Sequence, residues 1–198
     1  MPRLTSIILA SSSAIRRKLL RQAGWRFRIV LPSPAAEPAP VPGERAARYA
    51  LRAACAKALD VSRRRPRALV IGADQVVEFD GRILRKASGS AQARARLRTF
   101  SGRRHDLVGG WCLCREGRIL HKGLSRVRVY CHDLGRAEIA AYLKAEKPYS
   151  SVACYYLEGR GIRLVKRLEG CLFSALGLPL LPIQAALREL ERAARECP

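Results

Sequence analysis

Two short stretches of this chain combine residue types that bind phosphate and a divalent metal ion. In the first, three serines at residues 11–13 join an apolar strand to a helix that carries Arg16 and Arg17 in its opening turns. The free N–H groups and dipole of a helix N-terminus favour an anion, and hydroxyl and guanidinium groups add directed donors. In the second, Asp74 is expected just past the end of a buried strand. Together they indicate a site that hydrolyses a nucleotide.

Both stretches also fit purely structural roles. Ser11 and Ser13 suit a capped helix with basic residues on its exposed face, although cations near a helix N-terminus are mildly unfavourable. Asp74 suits a turn or a cap. The carboxyl ends of strands are nevertheless where ligands collect in open α/β sheets, and a carboxylate there can hold a cation or orient a water molecule. The residues by themselves leave both interpretations open.

Three other charged residues are candidates for the same chemistry. Glu37 is the only acid between Met1 and Gly43, and it becomes a plausible metal ligand only with a second carboxylate nearby. Lys57 and Lys86 stand out because lysine is scarce beside arginine. A lysine ammonium is a point charge suited to phosphate. Each of the three also fits a solvated surface position.

The charge balance favours an anionic small molecule as the partner. The chain has 38 basic and 16 acidic residues, a net charge of +22. The arginines are scattered through every segment without a basic arm, and few aromatic residues lie among them. Such a distribution indicates an anionic substrate rather than a dedicated nucleic-acid surface, so no specific nucleic-acid partner is expected.

Cysteine usage and hydropathy indicate a cytoplasmic protein without a membrane segment. No C-x-x-C pair or Cys/His cluster is present, so buried free thiols are expected rather than zinc ligands. The apolar run at residues 7–10 is too short for a signal peptide, and the one at 171–183 is broken by glycine and proline. The seven cysteines are Cys55, Cys112, Cys114, Cys131, Cys154, Cys171 and Cys197.

Other hydrolase chemistries have no support in the sequence. His105, His121 and His132 lie in or beside predicted strands, and none forms a recognisable nucleophile motif with a serine or cysteine. A G-x-S-x-G elbow and a Walker P-loop are both absent. The histidines are therefore expected to be structural or exposed.

The elements that position these residues alternate between strands and helices early in the chain. Periodicity predicts helices over residues 14–23, 44–62, 90–99, 135–145 and 182–195. Strands are predicted over residues 5–10, 27–31, 68–72 and 162–168, with loops over 32–43 and 146–161. Hairpin turns are predicted at Asp80-Gly81 and Glu116-Gly117, and Val127, Val129 and Cys131 alternate along a further, separate strand. This order indicates an α/β protein with a mixed sheet.

Taken in order, these segments resemble the Maf family of nucleoside triphosphate pyrophosphatases. The family pattern L-A-S-x-S-P-x-R-R-x-L-L is similar to residues 9–20, which read L-A-S-S-S-A-I-R-R-K-L-L. The A-K-A, G-A-D and S-G-R-x-H motifs are similar to residues 56–58, 72–74 and 101–105. Weaker matches lie at residues 34–37, 85–87, 158–161 and 177–179. The resemblance extends over nearly the whole chain.

The resemblance implies a single Maf-like domain over residues 1–198. Its fold would be α/β, with a Maf/inosine-triphosphatase-like mixed sheet flanked by helices and two lobes with the active-site cleft between them. Water would attack at the α–β phosphoanhydride of a nucleoside triphosphate, giving the monophosphate and pyrophosphate with Mg²⁺ or Mn²⁺. Family similarity also implies a homodimer.

The family's site residues map onto residues already singled out. The general base maps to Asp74, which with Glu37 would also hold the metal ion. The resemblance assigns phosphate and metal contacts to Ser11, Arg17, Glu37, Lys57 and Lys86. The helix-start argument adds two substrate contacts, Ser13 and Arg16.

Three positions resemble the family's specificity determinants, namely Ile15, Gln75 and Glu158. They are typically Arg, Thr and Gln in the dTTP/UTP branch, and Trp, Gln and Glu in the 7-methyl-GTP branch. Two of the three therefore resemble the 7-methyl-GTP branch, where a carboxylate complements the positive charge of the methylated ring. Isoleucine departs from that pattern because it cannot stack on a cationic base as tryptophan does.

Departures from the family motifs lead to an alternative hypothesis. Ala36 replaces one carboxylate of the usual D-E pair, Ala87 replaces a proline, and Ala153 replaces a glycine. The glycine would matter if the backbone at residue 153 required a positive φ or approached the ligand closely. The alternative is a catalytically weak or silent nucleotide- or nucleic-acid-binding regulator linked to cell division. It predicts tight, steeply salt-dependent nucleic-acid binding without hydrolysis.

Overall fold

The helices and strands follow the predicted order, with a few changed boundaries. The structure is a computed structural model that describes residues 6–196; Cys197 and the predicted strand residue Thr5 lie outside this range. The strands are β1 Ile7–Leu9, β2 Phe27–Ile29, β3 Leu69–Phe79, β4 Arg82–Leu84, β5 Arg104–Arg115, β6 Arg118–Cys131 and β7 Val165–Glu169. The helices are α1 Ala14–Gln22, α2 Ala46–Arg64, α3 Ser90–Phe100, α4 Arg136–Glu146, α5 Leu172–Ala175 and α6 Leu180–Glu196. Short 3₁₀ helices cover Pro34–Ala36 and Arg160–Leu164.

Within the described residues, seven strands form one mixed sheet. The order is β2-β1-β3-β5-β6-β7, with β4 paired to β3. β1 is parallel to both β2 and β3, and every other pairing is antiparallel. Helices lie on both faces, so the predicted α/β mixed sheet flanked by helices is confirmed.

β3 connects the parallel and antiparallel parts of the sheet and corrects one prediction. Asp74 does not follow a strand end, because β3 continues to Phe79 and pairs along its length with β5, placing Asp74 opposite Gly110. Only residues 69–71 pair with β1, and β4 begins its pairing at Val77. This edge of β3 therefore has a gap between Ile71 and Val77, and Asp74 lies within it.

Two other predicted strands have different boundaries. The strand predicted around Val127 and Val129 is not separate, because β6 runs unbroken from the turn at Glu116-Gly117 and pairs with β5 throughout. The strand predicted over residues 162–168 begins only at Val165, after a 3₁₀ helix. A short apolar run does not by itself distinguish a strand from a helical turn, and Ile162, at the start of the predicted strand, is 53% exposed.

Both hairpin turns adopt the predicted conformation. Asp80 and Gly81 have φ values of 48° and 73°, and Glu116 and Gly117 have values of 53° and 70°. Two consecutive residues with positive φ are typical of the tight two-residue turns that match the twist of a hairpin.

Alternation along the strands divides the core between the two faces of the sheet. On one face of the sheet, Leu9, Ile71 and Leu113 pack with α1 and α6. Further along the same face, Leu107 and Val129 pack with α3 and α4. The opposite face packs against α2 through small residues, including Ala50, Ala54 and Ala58.

Helix α2 approaches the sheet closely at two glycines. A Cβ atom at Gly72 would lie 2.7 Å from the Ala58 Cβ and would also overlap the Ala54 carbonyl oxygen. A Cβ atom at Gly110 would lie 2.6 Å from the Leu51 nitrogen. These glycines let the helix backbone rest directly on β3 and β5. In the range 6–196, no helix is long and apolar enough to cross a membrane.

Replacing Gly110 with alanine tests this close contact. We expect Gly110→Ala to lower the free energy of unfolding by about 1–3 kcal/mol, because the added methyl group forces α2 away from β5. Urea unfolding measures the change. Gly135→Ala is the matched control, since no atom lies within 4 Å of a Cβ there and its φ of −69° suits alanine. Equal stability of the two variants would contradict the proposed close packing.

Candidate functional site

A cavity of about 910 Å³ opens beside the gap in the edge of β3. Its walls come from the start of α1, the loop before α2, the inner face of α2, the loop after β4 and the segment after α4. The structure therefore brings together segments that are far apart in sequence. The predicted site residues that line the cavity are Ser11, Ser13, Ile15, Arg16, Glu37, Lys57, Asp74, Gln75, Lys86 and Glu158.

Lys57 connects the two carboxylates predicted to hold a metal ion. Its Nζ lies 2.7 Å from Asp74 Oδ1 and 3.4 Å from Glu37 Oε1. The side chains of Lys57 and Asp74 are only 12% and 14% exposed, whereas that of Glu37 is 55% exposed. The cavity therefore contains a largely buried ion pair with a second, more accessible acid beside it.

Glu37 and Asp74 fit a metal ion that is shared with a substrate. Mg²⁺ is typically held by one or two carboxylates together with waters and substrate phosphates. Among residues 6–196, no group of three or more His, Cys, Asp or Glu side chains could hold a metal ion. The donor set thus suits an ion that enters with a phosphate ligand better than one held by the protein alone.

The loop that carries Glu37 is anchored at its start by α2. Asp60 accepts hydrogen bonds from the Ser33 backbone N–H and hydroxyl, both at 2.9 Å. Burial opposes ionisation of Asp60, but its hydrogen bonds with Ser33 and Arg64 outweigh that effect and lower its pKa. Arg64 also donates to the Leu31 carbonyl at 2.8 Å. These contacts fix the start of the loop, in which Glu37 lies close to Lys57.

The end of the same loop is anchored by a second ion pair. Arg52 donates to both carboxylate oxygens of Glu44, at 2.9 and 2.6 Å, and the Val41 N–H adds a bond of 3.0 Å. The Arg52 and Val41 hydrogen bonds lower the pKa of Glu44 to about 2. Tyr49 also donates to the Pro38 carbonyl at 3.2 Å. Helix α2 therefore fixes both ends of this loop and also carries Lys57.

The serine-rich helix start forms as predicted, although its two arginines differ. Ser13 caps α1, and its hydroxyl accepts from the Arg16 N–H at 3.4 Å. The Arg16 guanidinium donates to Ser11 Oγ at 3.1 Å and to the carbonyls of Ala73 and Gly177, each at 2.8 Å. Burial lowers the pKa of Arg16, while the charges of Asp74 and Glu37 act in the opposite direction.

These contacts assign Arg16 chiefly to holding the cavity together. It fills the gap in the edge of β3 by satisfying the Ala73 carbonyl, which has no strand partner there. Arg17 is not among the cavity-lining residues, and its buried Nε has no hydrogen-bond partner. Of these two predicted phosphate contacts, the structure thus places Arg16 in the cavity wall and Arg17 outside the cavity.

The three predicted specificity positions line the same cavity. Gln75 points to the face of β3 opposite Asp74, and its side-chain amide donates to the Ser174 carbonyl at 2.8 Å. Ile15 packs against the core formed with α1 and α6. Glu158 is exposed on the wall formed by residues 150–159. The family resemblance singled out these three residues, and all three line one cavity in the structure.

The alanine departures occupy buried positions. Ala36, Ala87 and Ala153 are each no more than 8% exposed. Among these segments, the left-handed backbone belongs to Cys154, with φ of 58°, and not to Ala153. The alanine at 153 therefore needs no glycine-like conformation.

Several cavity residues were not predicted from the sequence. Tyr49 lies eight residues before Lys57 on α2, so helical periodicity placed it on the same face as Ala53 and Lys57. Arg85 adjoins Lys86 at the cavity wall. Tyr156 also lines the cavity, and its hydroxyl lies 2.6 Å from Ser150 Oγ. No local pattern marked Tyr156, because its loop takes its shape from distant contacts.

The histidines and cysteines match their predicted roles. His105 is buried, stacks on Phe100 at 4.0 Å and lies 2.7 Å from the Tyr155 hydroxyl. Burial lowers the pKa of His105 to about 4, against a smaller opposing effect of Asp106. The described cysteines are free thiols, four of them buried and two, Cys55 and Cys171, partly exposed.

Comparisons with known proteins identify the same family. The model of the Maf-like protein family matches residues 6–190. A nucleoside triphosphate pyrophosphatase of Nitrobacter winogradskyi is 44% identical over 187 residues, covering 92% of each chain. A dTTP/UTP pyrophosphatase of Oleidesulfovibrio alaskensis is 40% identical, covering 94% of this chain and 84% of that protein. A 7-methyl-GTP pyrophosphatase of Rhizobium etli is 38% identical, covering 93% and 96%.

The anchoring carboxylate of Glu44 predicts a specific dependence of stability on pH. Because the folded pKa is lowered from 4.5 to about 2, its contribution is present above pH 4.5 and is lost as the pH falls towards 2. We expect Glu44→Gln to lower the melting temperature at pH 6 and to have little effect near pH 2. Thermal unfolding from pH 2 to 7 measures the difference. A difference that stays constant across this range would contradict the assignment.

Proposed function

The chain belongs to the Maf family, and we propose that it hydrolyses a nucleoside triphosphate to the monophosphate and pyrophosphate. The observation that carries this proposal is the ion pair of Lys57 and Asp74, with Glu37 beside it, in a cavity that also contains the candidate specificity residues. The names of the similar proteins support the same activity.

The cations of the cavity bind the triphosphate. Lys57, Arg85 and Lys86 reach the cavity from two walls, and the capped N-terminus of α1 enters from a third. Phosphoryl chemistry depends mainly on positioning and on neutralising the charge of the phosphate oxygens. These groups hold the phosphate chain across the gap in β3, close to Asp74.

Asp74 acts as the general base. Its carboxylate is oriented by Lys57 at 2.7 Å and faces the cavity from the middle of a rigid strand. A water beside Asp74 loses a proton to the carboxylate as its oxygen bonds to phosphorus. The bond between the α-phosphorus and the bridging oxygen breaks, and pyrophosphate leaves with the electron pair.

A divalent cation, Mg²⁺ or Mn²⁺, fits this mechanism. Asp74 and Glu37 would hold it together with phosphate oxygens of the substrate. When bound, such an ion neutralises phosphate charge and polarises the phosphorus–oxygen bond. The 3.4 Å separation of Glu37 from Lys57 leaves this exposed carboxylate as the more accessible of the two.

We further propose that the base is a modified purine such as 7-methylguanine. Glu158 supplies an exposed carboxylate on the wall that also carries Tyr156. A carboxylate complements the cationic methylated ring, and a tyrosine offers an aromatic face that Ile15 lacks. The relatives named above act on different bases, so the support comes from Gln75 and Glu158 in this chain.

Replacing Asp74 tests the catalytic assignment. We expect Asp74→Asn to reduce kcat by about 10²–10⁴-fold, because the amide cannot accept the proton of the attacking water. Pyrophosphate release from a panel of nucleoside triphosphates, with Mg²⁺ or Mn²⁺, measures this change. Asp80→Asn is the control, since Asp80 lies in the turn at the end of the same strand, outside the cavity. Wild-type turnover by Asp74→Asn would exclude Asp74 as the base.

Replacing Glu158 tests the substrate. We expect Glu158→Gln to lower kcat/KM for 7-methyl-GTP by about 5-fold relative to GTP, because an exposed charge contact is worth up to about 1 kcal/mol. The same panel, extended to dTTP, UTP and CTP, measures this ratio. An unchanged ratio would refute recognition by Glu158. No turnover of any nucleotide by the wild type, together with tight, salt-sensitive nucleic-acid binding, would support the regulator hypothesis instead.

A further inference from the structure

Arg96 is a buried cation that the proposed reaction does not use directly. It lies on α3 among Ala93, Leu97 and Phe100, and its residue surface is only 9% exposed. Helical periodicity puts it on the face that packs into the core, where an arginine is unusual. Its guanidinium must therefore find partners inside the protein.

Those partners are backbone groups of two cavity-lining segments. Arg96 Nη1 donates to the Arg85 carbonyl at 2.5 Å and to the Val152 carbonyl at 2.6 Å. The same nitrogen lies 3.7 Å from the Cys154 sulfur. One nitrogen atom thus joins the loop after β4 to the segment after α4.

The Cys154 thiol strengthens the same junction. Burial raises the pKa of Cys154, while Arg96 and the backbone N–H of Ala87 act in the opposite direction. The Cys154 sulfur thus adds a contact with Arg96 beside the Arg85 and Val152 carbonyls. Its left-handed backbone, with φ of 58°, turns the chain towards Tyr156 and Glu158.

The hydrogen bonds to the two carbonyl groups compensate for the burial of the Arg96 charge, because no counterion lies beside it in the described part of the chain. Among residues 6–196, no carboxylate lies within 4.0 Å of the Arg96 guanidinium. A buried charge is tolerated when its donors are hydrogen-bonded, and an apolar residue would serve better if packing were its only role. The arrangement therefore favours a function that depends on the bonds to Arg85 and Val152.

We infer that Arg96 is a positioning residue that sets the spacing between the phosphate-binding loop of Lys86 and the base-binding segment of Tyr156 and Glu158. This inference rests on the proposed function of the cavity. Both segments line the cavity, yet neither is part of a helix or strand at the junction. Arg96 thus attaches two loops to helix α3, and these loops contact opposite ends of one nucleotide.

Arg96→Met removes the donors while keeping a long side chain, and Arg98→Met is its control on the exposed face of α3. We expect Arg96→Met to raise KM and lower kcat/KM by about 100-fold, because misplacing substrate contacts by about 1 Å has effects of this size. The kcat/KM ratio between 7-methyl-GTP and GTP should also change. A variant with only a smaller folded fraction would show lower kcat for every nucleotide alike, with unchanged KM and an unchanged ratio.

Hydrogen exchange provides a readout that does not depend on activity. We expect faster amide exchange at residues 85–88 and 152–158 together in Arg96→Met, and wild-type exchange there in Arg98→Met. If Arg96→Met does not fold, Arg96→Gln, which keeps one donor group on a shorter side chain, is expected to show the same changes at smaller amplitude. Unchanged exchange in both segments, or unchanged KM in an active variant, would overturn the inference.

The two proposals fail in different ways. A wild-type protein that hydrolyses no nucleotide contradicts the proposed function, while exchange at the two segments still decides whether Arg96 joins them. An active wild type whose Arg96 variants keep its KM, base ratio and exchange contradicts only the role of Arg96.

Discussion

The close contact between helix α2 and the sheet is the constraint on which the site depends. Gly72 and Gly110 allow the helix backbone to lie directly on β3 and β5, because neither glycine has a Cβ to hold it away. The alanines on this face of the helix continue the same close packing. The resulting distance brings Lys57 within 2.7 Å of Asp74.

The same helix also organises the loop above the cavity. Asp60 and Arg64 hold the start of the loop, Arg52 holds its end through Glu44, and Lys57 contacts Glu37 in its middle. Each of these anchoring side chains lies on α2, whose backbone is in direct contact with the sheet. The acid predicted to share a metal ion with Asp74 therefore has a defined position although its side chain is exposed.

The structure also changes the interpretation of the large positive charge. Several arginines hold structure together: Arg16 bonds two carbonyls beside the gap in β3, and Arg96 bonds two carbonyls between cavity loops. Others, including Arg52 and Arg126, are paired with acids. A net charge of +22 therefore overstates how many cations are directed at a ligand. The cations of the cavity are a small subset of the whole.

Sequence alone was sufficient for properties that depend on neighbouring residues. The cap at Ser13, the turns at Asp80-Gly81 and Glu116-Gly117, and the alternation of helices and strands follow from local hydrogen bonding and allowed backbone angles. Motifs in order along the chain also identified residues that the fold brings to one cavity, since every predicted site residue except Arg17 lines it. Only the tertiary structure could place Asp74 within a strand, assign Arg16 to two distant carbonyls and bring Arg96 between two loops. These features depend on strand pairing and on burial among residues distant in sequence, which no local pattern encodes.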